Sequence, residues 1–152
     1  MKIVKYEKKK NGKYKIHLEN KETIDTYEDV IIKNNLLYKK DIDNDIYNNI
    51  ISDNIYEEAY NKSVNYIEVR LRSIKEINTF LKNKKYENDV IEKTIDKLIK
   101  NNLLNDEIFA KAFINDKLNF TTMGPYKIEL ELKKHNIDGS IISSYINNID
   151  EE

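Results

Sequence analysis

The sequence predicts a mostly α protein: tandem three-helix repeats stacked in an elongated array, preceded by a small N-terminal antiparallel β-sheet and short helices. Three observations carry that expectation. Apolar residues alternate with polar ones before Tyr27 and recur at helical spacing after it. Asn11-Gly12 lies between two such alternating runs, the strongest short signal for a hairpin turn. Finally, Ile55–Leu104 shifted by 51 residues lies over the C-terminal third without a gap: Ala59 falls on Ala110, Ile67 on Leu118, Ile77 on Ile128, Leu81 on Leu132, Tyr86 on Ile137, Val90 on Ile141, Ile91 on Ile142, Ile95 on Ile146 and Leu98 on Ile149. A period near 50 with matched apolar positions marks a helical repeat.

Taken in order, Ile3-Val4-Lys5-Tyr6 reads as a strand. Tyr14, Ile16 and Leu18 alternate with Lys13, Lys15, His17 and Glu19 in a second, and Thr23-Ile24-Asp25-Thr26 follows a polar turn as a third. Two or three strands are too few to stand alone. Tyr27, Val30, Ile31 and Asn34 then share a helical face closed by Leu36-Leu37. Asp43 is the expected N-cap of a helix carrying Ile46, Tyr47, Ile50 and Ile51, and Asp53 or Asn54 is expected to start the next. That next helix places Ile55, Ala59, Ser63, Tyr66, Ile67 and Leu71 on one stripe.

Ser73-Ile74-Lys75-Glu76 fits a capping box opening a helix with Ile77, Phe80 and Leu81 on its apolar edge. Val90, Ile91, Thr94, Ile95, Leu98 and Ile99 form a third helix, stopped at Asn101-Asn102. The second copy opens at Asn105-Asp106 with Phe109, Ala110, Phe113, Ile114 and Leu118. It restarts at Gly124-Pro125 with Ile128, Leu130 and Leu132, and ends in a helix capped by Asp138 and filled by Ile141, Ile142, Tyr145, Ile146 and Ile149. The expected division is 1–52 for the sheet and two short helices, 53–104 for the first repeat and 105–152 for the second.

Net charge is −1, but it is unevenly spread. Residues 1–15 carry seven Lys against one Glu, 16–61 four Lys against eleven acids, 62–100 ten basic against six acidic groups, and 101–152 five against nine. Binding capacity is therefore local. With no cysteine, neither a disulfide framework nor a thiolate metal site is available. No apolar run approaches a membrane span, and Met1-Lys2-Ile3-Val4-Lys5 lacks the pattern of a signal peptide, so a soluble cytoplasmic monomer without metal or cofactor is expected.

Nor does the chain suggest an enzyme. Phosphate-loop and nucleophile-elbow motifs are absent. Asp41-Ile42-Asp43-Asn44-Asp45 invites a calcium-loop reading, but Ile46 and Ser52 stand where such a loop needs Gly and Glu. His17 and His135 have no ligating partners in the sequence and read as structural or solvated. Most of the eleven tyrosines sit at packing positions, with Tyr126 the best candidate for an external contact.

The two arginines are more informative. Arg70 and Arg72 are the only ones in a lysine-rich chain, set just before the capping box. Their forked guanidinium groups either staple neighbouring helices or bind an external anionic partner, and both readings stand.

Tyr66, Arg70, Arg72-Ser73, Glu76 and Leu81, then Ile91, Ile95 and Leu98, then Leu103-Leu104-Asn105-Asp106-Glu107 with Phe109-Ala110, resemble in order the RecX regulatory protein family. Gly124-Pro125, Ile128, Glu131-Leu132 and Ile137 continue the pattern. Glu28-Asp29-Val30-Ile31 and Ala59-Tyr60-Asn61-Lys62 resemble the longer members of low-GC Gram-positive bacteria. Family members usually carry three repeats; two are present here, followed by the acidic Asp150-Glu151-Glu152.

The resemblance implies a regulator of recombination and DNA repair that binds the filament of the recombinase RecA on single-stranded DNA and restrains its extension and activities. Arg70, Arg72, Lys75, Lys82, Lys84 and Lys85, with Tyr126, Lys127, Lys133 and Lys134, are the expected partner-binding residues. The alternative is a helical module that binds single-stranded nucleic acid directly.

Overall fold

The computed structural model describes the backbone of residues 1–150 and the side chains of residues 1–147, so Ile149 and Asp150-Glu151-Glu152, singled out above, lie outside the described side chains. The chain divides into two compact units, Met1–Glu58 and a second from Ala59 onward.

In the first unit three strands, β1 (Ile3–Lys8), β2 (Lys13–Leu18) and β3 (Thr23–Tyr27), form an antiparallel sheet in sequence order. The β1–β2 turn is the expected one. Asn11 and Gly12 both take positive φ, 61° and 73°, and Lys13 donates its N–H to Lys10 O. That conformation matches the twist of the flanking strands. Val4 is an extra residue in β1, since Ile3 pairs with Leu18 and Lys5 with His17.

One face of the sheet packs Ile3, Ile16, Leu18 and Ile24 against Val30 and Ile31 of α1 (Glu28–Lys33), the buried Leu36 and Ile42, and Ile50 of the following helix. This added apolar cover supplies what three strands lack by themselves. Leu37, expected to close α1 beside Leu36, is instead exposed.

That following helix, α2 (Asn44–Val69), corrects the sequence expectation. Its start is as expected, with Asp43 Oδ1 accepting the Ile46 N–H at 2.8 Å. It then runs 26 residues without a break, although Asp53 or Asn54 was expected to start a new helix. The reason is that these capping-type side chains are occupied elsewhere. Asp53 receives Lys33 Nζ and Asn34 Nδ2, each at 3.0 Å, and Asn54 accepts the Thr26 hydroxyl at 2.6 Å while donating to Asp25 O. Neither remains to turn back on its own backbone, and no Gly or Pro interrupts the segment.

The second unit contains the end of α2 and five further helices: α3 (Ile74–Asn83), α4 (Asn88–Lys100), α5 (Asp106–Phe120), α6 (Pro125–Lys134) and α7 (Gly139–Asp150). The 51-residue echo is a burial echo. Ala59 and Ala110, Ile77 and Ile128, and Leu81 and Leu132 are all fully buried, and Ile91 and Ile142 nearly so. The apolar stripes are narrower than expected, because Ile55, Leu71, Ile99, Leu118 and Leu130 are exposed.

Helix ends repeat as well. After α3, Lys85 takes φ 71°, its N–H bonds Lys82 O, and the Tyr86 N–H bonds Leu81 O. After α6, Asn136 takes φ 57°, its N–H bonds Lys133 O, and the Ile137 N–H bonds Leu132 O. This paired closure satisfies carbonyls that the helix leaves open, and Asn102 and Asn35 close α4 and α1 the same way.

Candidate functional site

The Ser73 capping box opens α3 as its sequence requires. Ser73 Oγ accepts the Glu76 N–H at 3.1 Å, and Glu76 Oε1 accepts the Ser73 N–H at 3.3 Å. The second use of Glu76 is not visible in that motif. Its Oε2 also holds Arg70 at 2.5 Å and lies 3.7 Å from Arg72, while Oε1 lies 3.7 Å from His135 Nδ1. One carboxylate therefore joins the α2–α3 connector, the first turn of α3 and the end of α6. Burial alone would raise its pKa. The hydrogen bonds from Arg70 and Ser73, with the charges of Arg70 and His135, outweigh burial and hold it below the ordinary value.

The two arginines divide. Arg72 is only 9% exposed, its guanidinium lies 3.6 Å over the Tyr66 ring, and its Nε donates to Tyr66 O at 3.1 Å. Tyr66 in turn stacks on Phe80 with ring centroids 4.2 Å apart. Arg72 is thus a staple between α2 and α3. Arg70 is exposed, and besides Glu76 it donates to Leu71 O at 2.8 Å.

The second repeat contributes three further groups. Asp106 Oδ1 accepts the Ile74 N–H at 2.9 Å, so α5 caps the start of α3. Burial raises the Asp106 pKa despite that bond and the His135 charge. His135 packs against Phe109 and Phe113, with centroids at 5.1 and 5.7 Å. Lys75 Nζ donates to Lys134 O at 2.6 Å, where the negative pole of α6 favours a cation. Tyr66, Lys75, Glu76, Phe80, Lys134 and His135 line a cleft of about 300 Å³ at this junction.

Of the other expected contact residues, Lys133 and Lys134 pair within α6 with Glu129 and Glu131, at 3.2 and 3.1 Å. The Lys84 ammonium lies over the Phe80 ring, 5.6 Å from its centroid. Lys82, Lys85 and Lys127 are exposed with no carboxylate partner among the described residues, and Tyr126 is 74% exposed. The structure brings Arg70, Arg72, Lys75 and Lys134 to one junction, and Lys82, Lys84 and Lys85 to the end of α3.

Sequence reasoning missed Glu76 as a hub, together with His135 and Asp106. The capping box identified Glu76, but its distant partners leave no local signal. Among the described residues no group of three His, Asp or Glu could hold a metal ion, and no helix is long and apolar enough to cross a membrane.

Tandem three-helix domains with junctions sealed by internal ion pairs, and cations gathered at exposed helix ends, define a helical-repeat protein. The comparisons give the family. Residues 59–98 match the sequence profile "RecX, first three-helix domain", and residues 105–145 match "RecX, second three-helix domain". The regulatory protein RecX of Finegoldia magna is 33% identical over 144 residues, covering 92% of this chain and 68% of the relative. That of Halalkalibacterium halodurans is 31% identical, over 91% of this chain and 54% of the relative. A crystal structure of a regulatory protein RecX superposes with a TM-score of 0.89 at 25% identity, covering 97% of this chain and 73% of that one. The chain belongs to the RecX family of regulatory proteins. It spans about two thirds of the Finegoldia protein and about half of several other curated relatives.

Proposed function

We propose that this chain binds the RecA recombinase filament on single-stranded DNA and inhibits its extension and its activities in recombination and repair. Membership of a regulatory family supports this reading. The observation that carries the contact surface is the run Lys82, Lys84 and Lys85 at the end of α3, three exposed cations without a carboxylate partner among the described residues. Such an edge suits an acidic protein surface or phosphate.

In this proposal Tyr126 and Lys127 extend the face in the second repeat. Arg70, Lys75, Lys133 and Lys134 join it while keeping their internal bonds. Arg72 is a positioning residue, holding Tyr66 and through it Phe80, over which the Lys84 ammonium lies. Binding is steric and electrostatic, without covalent chemistry. The test is inhibition of RecA's DNA-dependent ATP hydrolysis by the chain and by a Lys82→Gln, Lys84→Gln, Lys85→Gln variant. Loss of about tenfold or more in inhibitory potency, from two or three contacts each worth up to about 1 kcal/mol, is expected. Unchanged inhibition by the folded variant would overturn the assignment of that face.

A further inference from the structure

The most basic segment of the chain plays no part in that reading. Between Val4 and Lys15, six lysines face one acid, Glu7, and that acid is neutralised locally. His17 Nε2 and Lys9 Nζ bond it at 2.9 and 3.0 Å, and these bonds depress its pKa to about 2.

The remaining cations differ in what surrounds them. Lys15 is half-buried and pairs across the sheet with Glu7 on one side and Asp25 on the other. Lys9 and Lys13 line a cleft that also holds Asp25 and Glu58. Lys5, Lys8 and Lys10 are exposed and have no carboxylate partner among the described residues. All three lie on β1, the edge strand, or on the turn that ends it. Lys5 and Lys8 stand about 10 Å apart along β1 and on opposite faces of it, Lys5 beside Glu7 and Lys8 beside Tyr6, and Lys10 follows in the turn, so the three flank the strand's edge from both sides.

We propose that the β1 edge and its turn form a second, independent contact site for the phosphate backbone of double-stranded DNA. Charge selects a polyanion, and the placement of the hairpin's aromatic rings selects the duplex. Tyr6 and Tyr14 pack against the core beneath the sheet, and the Tyr6 hydroxyl donates to Leu36 O. The edge therefore offers ammonium groups without a ring on which an unpaired base could stack. Proteins that hold single strands rely on such stacking, whereas a duplex keeps its bases stacked internally and presents phosphates alone. No base-reading side chain stands among the three lysines, so the contact is indifferent to sequence.

Edge-strand lysines also prevent one sheet from adding to another, and the experiment must separate the two roles. The full chain, without RecA, is titrated onto a short labelled duplex and onto a single strand carrying the same number of phosphates. The variant is Lys5→Gln, Lys8→Gln, Lys10→Gln. A control of equal charge, Lys97→Gln, Lys100→Gln, Lys111→Gln, removes three exposed lysines of the second unit.

Three phosphate contacts contribute a salt exponent near 2.7, so between about 50 and about 200 mM salt wild type loses about 40-fold more duplex affinity than the variant. The control keeps the wild-type slope. Equal slopes in wild type and variant, an equal loss in the control, or tighter binding of the single strand overturns the proposal. So does tighter capture by phosphatidylserine vesicles than by duplex, or a variant that self-associates while binding duplex as wild type does.

Discussion

Asp106, in the first turn of α5, accepts the backbone N–H of Ile74, in the first turn of α3, at 2.9 Å. A residue of the second repeat thereby satisfies a helix N-terminus of the first, and the junction becomes part of the fold of both. Burial works against the charge of this carboxyl more than the Ile74 bond and the His135 charge favour it, so a neutral acceptor can take its place. Asp106→Asn is therefore expected to unfold in urea close to wild type. Asp106→Ala, which leaves the Ile74 N–H unpaired, is expected to lose about 1–2 kcal/mol. Equal losses in both variants would show that charge is what matters.

Glu76 behaves in the opposite sense. Its folded pKa lies below the ordinary value of 4.5, so its stabilisation is complete above that value and disappears as pH falls through the folded one. Wild type is expected to exceed Glu76→Gln in stability at neutral pH, with the gap closing below pH 4.5. Denaturant titrations of both proteins across that range check it, and a gap independent of pH contradicts it.

Lys85 and Asn136, 51 positions apart, close α3 and α6 with the same left-handed turn. Asn tolerates positive φ through its short polar side chain, whereas Lys bears a steric cost of about 1 kcal/mol. Lys85→Gly should raise stability by up to about 1 kcal/mol, and Asn136→Gly by less. If Lys85 also contacts the partner, the stabilised variant will inhibit RecA less well. Thermal melts beside ATPase assays read both effects.

The arginine pair separates packing from surface charge. Arg72→Ala removes a buried stack and a hydrogen bond, an expected loss of about 2 kcal/mol. Arg72→Lys should recover little of it, because an ammonium lacks the planar face. Arg70→Ala, at an exposed pair, should cost less than about 1 kcal/mol. Urea midpoints that rank the two alanine variants in reverse would refute this division.

The repeats were legible because burial at Ala59, Ile77 and Leu81 recurs at Ala110, Ile128 and Leu132, and periodic apolar spacing records burial directly. The caps at Ser73, Asn105 and Asp138 were legible because each acts within three residues of itself. The continuity of α2 was not, because whether Asp53 and Asn54 cap a helix depends on Lys33, Asn34 and Thr26, which are distant in sequence. Arginine scarcity directed attention to Arg70 and Arg72 but left open whether they faced inward or outward. Tyr66 settles Arg72 as an internal staple. The approach of His135 to Glu76 across the junction joins groups from different repeats, and no local pattern encodes that.

Action of this chain on RecA filaments is read by its retention on immobilised single-stranded DNA at physiological salt with RecA and ATP present or absent. The chain is expected to be retained when the filament is present and largely lost without it. Equal retention on bare single-stranded DNA, or none on the filament, would contradict it.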